Sequence, residues 1–153
     1  MQAELISHWC INKLSPSLFK LQTLLYFAQG ISFCMSDKEL FSDDFEILNN
    51  RLIIRSIYNK YQELGYSVYS PINIKYSSPN LDNNTLSVLE YIKESYNQYD
   101  EQYLSDCIRQ QTPFLYTKEK SRINSNNTVV PKELISNYFI SSMLQPRMEE
   151  WDN

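Results

Sequence analysis

The chain has 153 residues, of which 42% are hydrophobic and 14% aromatic, and its formal net charge is −4. This length fits one globular domain with a substantial core, and the hydrophobic fraction excludes an intrinsically disordered chain. No apolar run approaches the ~20 residues that span a bilayer, and the acidic balance argues against broad nucleic-acid binding, which depends on neutralising phosphates.

The N-terminal sequence and the cysteines predict a cytoplasmic protein. MQAELISHWC lacks the basic, apolar and small-residue regions of a secretory signal. Cys10, Cys34 and Cys107 are odd in number and far apart, and no CxxC occurs, so neither a disulfide framework nor a zinc ribbon is indicated. We therefore expect buried thiols in a reducing cytosol.

The first two predicted elements are helices. Apolar residues at helical spacing predict a short amphipathic helix over residues 3–12. A second helix is predicted from about Pro16 to Ile31, because Ser15 can cap it and proline is tolerated at a first helical position. Its apolar stripe is wide enough to predict contacts with other helices on more than one side. The stripe consists of Leu18, Leu21, Leu24, Leu25, Ala28 and Ile31.

The middle of the chain predicts a third helix and an extended segment. Residues 35–45 are predicted to be a polar connection. The third helix is predicted over residues 53–64 and ends at Gly65, which can adopt the left-handed conformation. The following sequence, residues 66–79, alternates weakly in polarity and contains two prolines. We expect it to be extended, with one short β pair near residues 66–76.

The last third of the sequence predicts three more helices. One begins near Asn83 or Asn84, and Asp100 is placed to cap the next. Residues 117–128 are polar and are predicted to form a loop. Pro131 begins the final helix.

The predicted fold is mainly α, a single compact domain of about six helices. The domain is predicted to occupy residues 1–144, and no internal repeat is visible. Residues 145–153 are expected to be a flexible tail, because chain ends without anchoring contacts are poorly ordered.

The sequence contains no recognisable catalytic motif. Gly30 and Gly65 are its two glycines, whereas phosphate- and dinucleotide-binding loops need several glycines in one turn. His8 is the single histidine, which excludes HExxH and every site that needs two imidazoles. Asp43 and Asp44 are interpreted as solvated residues that cap the following segment rather than as an acid–base pair. We therefore predict a binding protein, not an enzyme, with no metal or cofactor.

The polar segment of residues 117–128 carries three cations. Lys118, Lys120 and Arg122 flank Glu119, and a solvated loop is favoured over an anion or nucleic-acid contact. The twelve tyrosines are interpreted mainly as core and rim residues, some of which can belong to a contact surface.

One block of the sequence resembles a known family. LFKLQTLLYFAQG, residues 18–30, is similar to the N-terminal signature of the Panacea, or SocA-like, antitoxin domain family, which includes GepA-like phage-associated proteins and carries a block close to LKLQKLLYYAQG. The matching residues are Leu18, Lys20, Leu21, Gln22, Leu24, Leu25, Tyr26, Ala28, Gln29 and Gly30.

Later blocks follow the family pattern in order. DKELFSDDFEIL, residues 37–48, is similar to a GKPLFDEDFEAW type segment, and NRLIIRSIY, residues 50–58, to a YGPVVPSVY type segment. The resemblance covers the chain from about Leu5 to Phe139. Further agreements are Leu40, Phe41, Asp44, Phe45, Glu46, Ser56, Tyr58, Tyr96, Leu104, Ser105, Pro113, Ile135, Tyr138 and Phe139, with Phe114 in place of the family's tryptophan.

The resemblance implies a non-enzymatic antitoxin that neutralises a co-encoded toxin of a bacterial or prophage toxin–antitoxin module by direct contact. Some members of the family act instead as adaptors that deliver the toxin to a Clp-type protease. The alternative is a phage or mobile-element regulator that binds nucleic acid through residues 118–132. Such binding would require a clustered positive surface despite the acidic whole.

A neutralising surface needs aromatic or arginine anchors in a patch of roughly 800 Å² per partner. For Tyr26 and Tyr58, the core is favoured over the interface. Gln22 and Gln29 share one helix face and are expected either to satisfy buried backbone groups or to be exposed. The partner-binding candidates are Gln22, Tyr26, Gln29, Phe45, Arg51, Arg55 and Tyr58.

Two departures from the family pattern affect these expectations. Arg51 and Leu52 replace a family Gly-Pro, and Ile108 and Arg109 replace a family Thr-His. If either position lies at the functional surface, we expect this chain to be a divergent member of the family or to serve a different partner. Arg51 and Arg55, near the first replacement, are therefore contact candidates for this chain alone.

Overall fold

The computed structural model describes residues 2–144, so the predicted tail of residues 145–153 lies outside the described residues. The predicted class is confirmed, because the chain forms one compact, mainly helical domain with one short antiparallel strand pair. None of the helices described is long and apolar enough to cross a bilayer. The elements are α1 (Ala3–Leu14), α2 (Leu18–Ser36), β1 (Glu46–Leu48), β2 (Arg51–Ile53), α3 (Arg55–Glu63), α4 (Asn83–Tyr96), α5 (Glu101–Arg109), α6 (Thr112–Ile123) and α7 (Lys132–Leu144).

The helix α2 is the centre of the domain. Every residue from Leu21 to Ser32 is buried, and α1, α4, α5, α7 and β2 all pack against this helix. The predicted contact on more than one side is therefore confirmed. Because the whole circumference of α2 is buried, each of its polar side chains needs a hydrogen-bond partner inside the protein.

The chain reversal between α1 and α2 differs from the prediction in its capping residue. Ser17, not Ser15, caps α2, and its Oγ accepts a hydrogen bond from the Lys20 N–H at 3.2 Å. Ser15 instead ends α1 with a φ of 45°, and its N–H donates to the Ile11 carbonyl at 3.0 Å. The difference arises because α1 extends two residues beyond the predicted end.

The strand pair lies at residues 46–53, not near residues 66–76 as predicted. Asn49 and Asn50 connect the strands with φ values of 49° and 65°, the left-handed geometry of a two-residue hairpin turn, which asparagine tolerates better than most residues. The third helix therefore begins at Arg55, because the residues before it pair with β1. The pairs are Glu46 with Ile53, Ile47 with Leu52, and Leu48 with Arg51.

Residues 66–82 form an extended strap across the first two helices. The Ile72 N–H donates to the Pro16 carbonyl at 2.9 Å. The Asn12 side chain donates to the Tyr76 carbonyl at 3.0 Å and accepts from the Tyr76 N–H at 2.8 Å. The backbone groups that a strand partner would use thus bond to α1 and to the α1–α2 turn instead.

The predicted loop of residues 117–128 is wrong over its first half. Residues up to Ile123 belong to α6, which has Pro113 in its first turn, where a missing N–H costs nothing. Thr117 is buried, and its Oγ1 donates to the Pro113 carbonyl at 2.8 Å. Charged residues on the exposed side of the helix hid its periodicity, and the extra helix brings the number in residues 2–144 to seven.

Candidate functional site

Two of the predicted contact residues crosslink the interior. Gln22 bonds both backbone groups of Ile54, donating to its carbonyl at 3.2 Å and accepting from its N–H at 2.8 Å. Gln29 accepts from the N–H groups of Leu40 and Phe41 at 2.7 and 3.3 Å and donates to the Phe41 carbonyl at 3.0 Å. Both glutamines are at most 1% exposed, so neither reaches the surface of this fold, and both fasten connecting segments to α2.

Tyr26 and Phe45 are also core residues rather than contacts. The Tyr26 hydroxyl donates to Gln111 Oε1 at 2.7 Å inside the domain. Burial raises the pKa of Tyr26 well above its ordinary value, so the hydroxyl keeps its proton. Phe45 packs edge-on against Tyr26 with ring centroids 5.6 Å apart, and both side chains are at most 1% exposed. Their burial removes them from the predicted partner surface.

Arg51, which stands where the family has glycine, is a crosslink between β2 and α5. It pairs with Glu101, and the two side chains are only 14% and 12% exposed. Its Nη1 also donates to Ser105 Oγ at 2.8 Å, and the guanidinium lies 4.2 Å from the centre of the Phe19 ring. A mostly buried cation that contacts a carboxylate, a hydroxyl and an aromatic face is positioned to stabilise the fold rather than to bind a partner.

The last two candidates are accessible to different degrees. Tyr58 is half-buried and packs against the core. Arg55 is exposed and pairs with Glu46 of β1. Of the seven predicted contacts, Arg55 therefore has the most exposed side chain, and it directly follows Ile54, whose backbone groups bond to Gln22.

Sequence reasoning missed an exposed apolar surface on α6. Leu115, Tyr116 and Ile123 are 51%, 45% and 77% exposed, and Val129 in the next segment is 48% exposed. At 3.6 residues per turn, the three helical side chains project within about 100° of one another. We call these four residues the α6 surface.

Cations flank the α6 surface. Lys120 lies on one side of it, 5.5 Å from the centre of the Tyr116 ring, and forms no ion pair within residues 2–144. Arg122 lies on the other side and pairs with Glu119 at 2.9 Å. Lys118 completes the basic side chains of this helix. The rim of the α6 surface is therefore basic on a chain whose net charge is negative.

An open groove of about 410 Å³ lies next to the α6 surface. One wall is α6, and the other is the segment 128–130, which lies antiparallel to β1. Two backbone hydrogen bonds hold this segment, from Ile47 to Thr128 at 2.9 Å and from Val130 to Phe45 at 2.8 Å. The lining residues are Tyr116, Thr117, Lys120, Asn126, Asn127, Val129 and Pro131.

The segment 128–130 joins β1 through a single bridge at Val129 and presents a free backbone edge there. Val129 faces Glu46 as a non-hydrogen-bonded pair, so its N–H and carbonyl point away from β1. Neither group has a hydrogen-bond partner among residues 2–144, and within that range no further strand lies beside the segment. The groove thus combines a backbone edge, a lysine and apolar side chains.

The histidine and the buried cysteine, which are the remaining candidates for reactive side chains, have structural roles. His8 stacks on Tyr76 with ring centroids 3.7 Å apart, and burial lowers the pKa of His8, with a smaller contribution from Lys60. Burial raises the pKa of the Cys10 thiol to about 12, which keeps it protonated and unreactive. Within residues 2–144, no group of three or more histidine, cysteine or acidic side chains is placed to hold a metal ion.

Comparisons with protein-family models, with curated proteins and with solved structures gave no match. The resemblance to the Panacea family therefore depends on the sequence blocks alone. In this structure, the residues of the first block form the buried helix α2. They can therefore affect partner binding only by stabilising the fold.

Proposed function

We propose that this chain is a non-enzymatic, cytoplasmic binding protein that neutralises a co-encoded toxin of a bacterial or prophage toxin–antitoxin module by direct contact. The observation that best supports a binding role is the α6 surface, where four apolar side chains of α6 and of the segment after it are exposed. Contiguous exposed apolar residues on a soluble domain mark interaction sites more often than isolated ones do. The sequence resemblance supplies the type of partner.

The composition of the α6 surface suits a protein contact. Leu115, Tyr116 and Ile123 can act as apolar anchors, and tyrosine adds a hydroxyl that can hydrogen-bond at the interface. Lys120 and Arg122 form a charged rim, as in interfaces with an apolar centre and a polar edge. In this proposal α6 replaces the α2 residues as the site of contact.

A co-expression experiment tests the function. The gene adjacent to this one in its genome is expressed alone and then together with this chain. We expect the neighbour to arrest growth, and this chain to restore growth and co-purify with the neighbour's product. A harmless neighbour, or a failure of rescue, would refute the antitoxin function.

Matched variants test the α6 surface in the same assay. Ile123→Ser and Leu115→Ser remove exposed apolar anchors, and both are expected to weaken rescue and co-purification. Leu64→Ser is the control, because Leu64 is 55% exposed at the end of α3. Equal rescue by all three variants would place the contact elsewhere.

The adaptor mechanism is distinguished by the fate of the partner. If the chain delivers the toxin to a Clp-type protease, the partner disappears in cells with the active protease and accumulates in cells without it. If the chain blocks the toxin directly, the partner accumulates as a complex in both strains.

A nucleic-acid regulator is the second candidate, because Lys118, Lys120 and Arg122 share one helix. Such binding would weaken steeply with salt, since it depends on counterion release from phosphates. Retardation of DNA or RNA at low salt that Lys120→Glu abolishes would favour the regulator. No retardation at low salt would exclude it.

A further inference from the structure

We infer that the groove beside the α6 surface takes an extended, acidic segment of a partner protein, which adds as a strand to residues 128–130 and sets a carboxylate against Lys120. This inference rests on the proposed function for its choice of a protein partner. It adds the chemistry and the conformation of the partner's binding segment.

The free edge at Val129 specifies an extended main chain. An amide N–H and a carbonyl that point away from β1 can exchange two hydrogen bonds with a residue of an incoming strand, in the manner of strand addition to a sheet edge. The edge is short, because Pro131 has no N–H and the Asn127 N–H already donates to the Asn124 carbonyl at 2.9 Å. Side-chain contacts must therefore supply most of the affinity.

The charge around the groove specifies an acidic segment. Of the four cations in residues 112–132, Arg122 pairs with Glu119 and Lys132 pairs with Glu39, so neither adds net positive charge to the groove. Lys120 lines the groove and forms no ion pair within residues 2–144. A carboxylate placed there would gain a charge-assisted hydrogen bond, and the amides of Asn126 and Asn127 lie in the same groove as further donors.

The apolar residues of the groove indicate that every second residue of the bound partner segment is apolar. Successive side chains of a strand point to opposite faces, so a bound strand can direct every second side chain at Tyr116 and Val129. The intervening side chains then face the cations and the solvent. The expected segment is thus one in which acidic and apolar residues alternate.

A peptide selection tests the groove without knowledge of the partner. The full chain is immobilised and exposed to a displayed library of random short peptides, and the enriched sequences are determined. We expect enrichment of peptides that alternate Asp or Glu with apolar residues. Enrichment of basic or purely apolar peptides, or of none, would overturn the inference.

Two matched pairs of variants locate the binding. Val129→Pro removes the edge N–H, whereas Val129→Thr keeps it and keeps a β-branched side chain. Lys120→Glu reverses the charge, whereas Lys120→Arg keeps it. We expect the first of each pair to weaken peptide binding about tenfold or more and the second to change it little. Lys75→Glu, an exposed lysine of the strap, controls for total charge.

The two proposals fail in different ways. If the selected peptides bind as expected but the neighbouring gene product is neither toxic nor bound, the antitoxin function is refuted. The inference that the groove binds an acidic segment is then retained. If the chain rescues growth and Val129→Pro and Lys120→Glu rescue equally well, the function stands and the groove inference falls.

Binding of either of two other ligands in the groove would overturn the inference. Residues 148–152, MEEWD, are themselves acidic and apolar. If Glu149→Lys/Glu150→Lys in the full chain strengthens peptide binding about tenfold, the groove belongs to the chain's own C-terminal residues. If nucleic acid competes with the peptides at low salt, the cations of α6 serve phosphates instead.

Discussion

The ring of Phe139 occupies the space that a side chain on Gly30 would need. A Cβ placed on Gly30 would lie 2.4 Å from two atoms of that ring, far inside van der Waals contact. Gly30 is therefore required in α2 for the close approach of α7, and not for an unusual backbone angle. The glycine that ends the family-like block is thus explained by helix packing.

Gly30→Ala is expected to destabilise the domain by about 1–2 kcal/mol, because an overpacking cost of about 2–3 kcal/mol exceeds the ~1 kcal/mol that alanine gains in a helix interior. Urea unfolding followed by circular dichroism measures the change. Gly30→Ala/Phe139→Leu should recover part of the loss, since leucine gives the methyl group room. An unchanged or higher unfolding free energy for the single variant would contradict the packing argument.

Gln29→Met is expected to lower the free energy of unfolding by about 2–4 kcal/mol, because it leaves buried backbone groups of Leu40 and Phe41 without hydrogen-bond partners. Methionine is similar in size to glutamine, so the change removes the hydrogen bonds without opening a large cavity. Amide hydrogen exchange of these two residues should accelerate more than exchange in α2. Gln98→Met, at an exposed position, serves as the control and should have no measurable effect. Equal effects at both sites would mean that the Gln29 bonds contribute little.

Arg51→Met is expected to cost about 2 kcal/mol, because it strands the mostly buried carboxylate of Glu101 and removes the cation over Phe19. Arg55→Met is the matched control, since its pair with Glu46 is more exposed, and should change stability by about 0.5 kcal/mol or less. Thermal or urea unfolding distinguishes the two. A larger loss for Arg55→Met than for Arg51→Met would contradict a stabilising role for Arg51.

The stability of the domain is expected to fall as the pH drops from about 7.5 to about 5.5, and His8 is the expected cause. Burial lowers the pKa of His8 below 6.5 in the folded state. In this window the unfolded chain therefore binds more protons than the folded chain, and acid favours unfolding. Above the unfolded pKa, both states hold a neutral imidazole and the effect vanishes.

His8→Phe tests this assignment, because phenylalanine can keep the stack on Tyr76 and cannot titrate. The unfolding free energy of the variant should depend less on pH between about 7.5 and about 5.5 than that of the parent chain. The comparison stays above the range in which Glu4, whose own pKa is lowered by Lys60, begins to titrate. An identical slope in both proteins would exclude His8 as the source.

The sequence predicted the candidate site poorly, and the reason is physical. Gln22 and Gln29 are polar and match a family signature, yet their amides bond backbone groups of segments 11–32 residues away in the chain. A sequence does not show which distant carbonyl or N–H will need a partner. The α6 surface, in turn, was hidden because its apolar residues are few and stand among cations.

Some properties of this protein follow from the sequence by itself. The amount and periodicity of apolar residues determined a mainly helical single domain with α2 at its centre, because a helix with apolar residues on all sides must be surrounded. The cap at Asp100 follows from local chemistry. Such a cap depends on interactions within a few residues of the chain.

Tertiary structure decided the rest. The Asn49–Asn50 turn became a hairpin because β1 found partners on both sides, in β2 and in residues 128–130. Phe139 met Gly30 because α7 crosses α2 at that point. Long-range packing also places the free backbone edge at Val129 and the side chain of Lys120 in one groove. Long-range packing sets which faces are covered and which stay open, and the open faces are where a partner can bind.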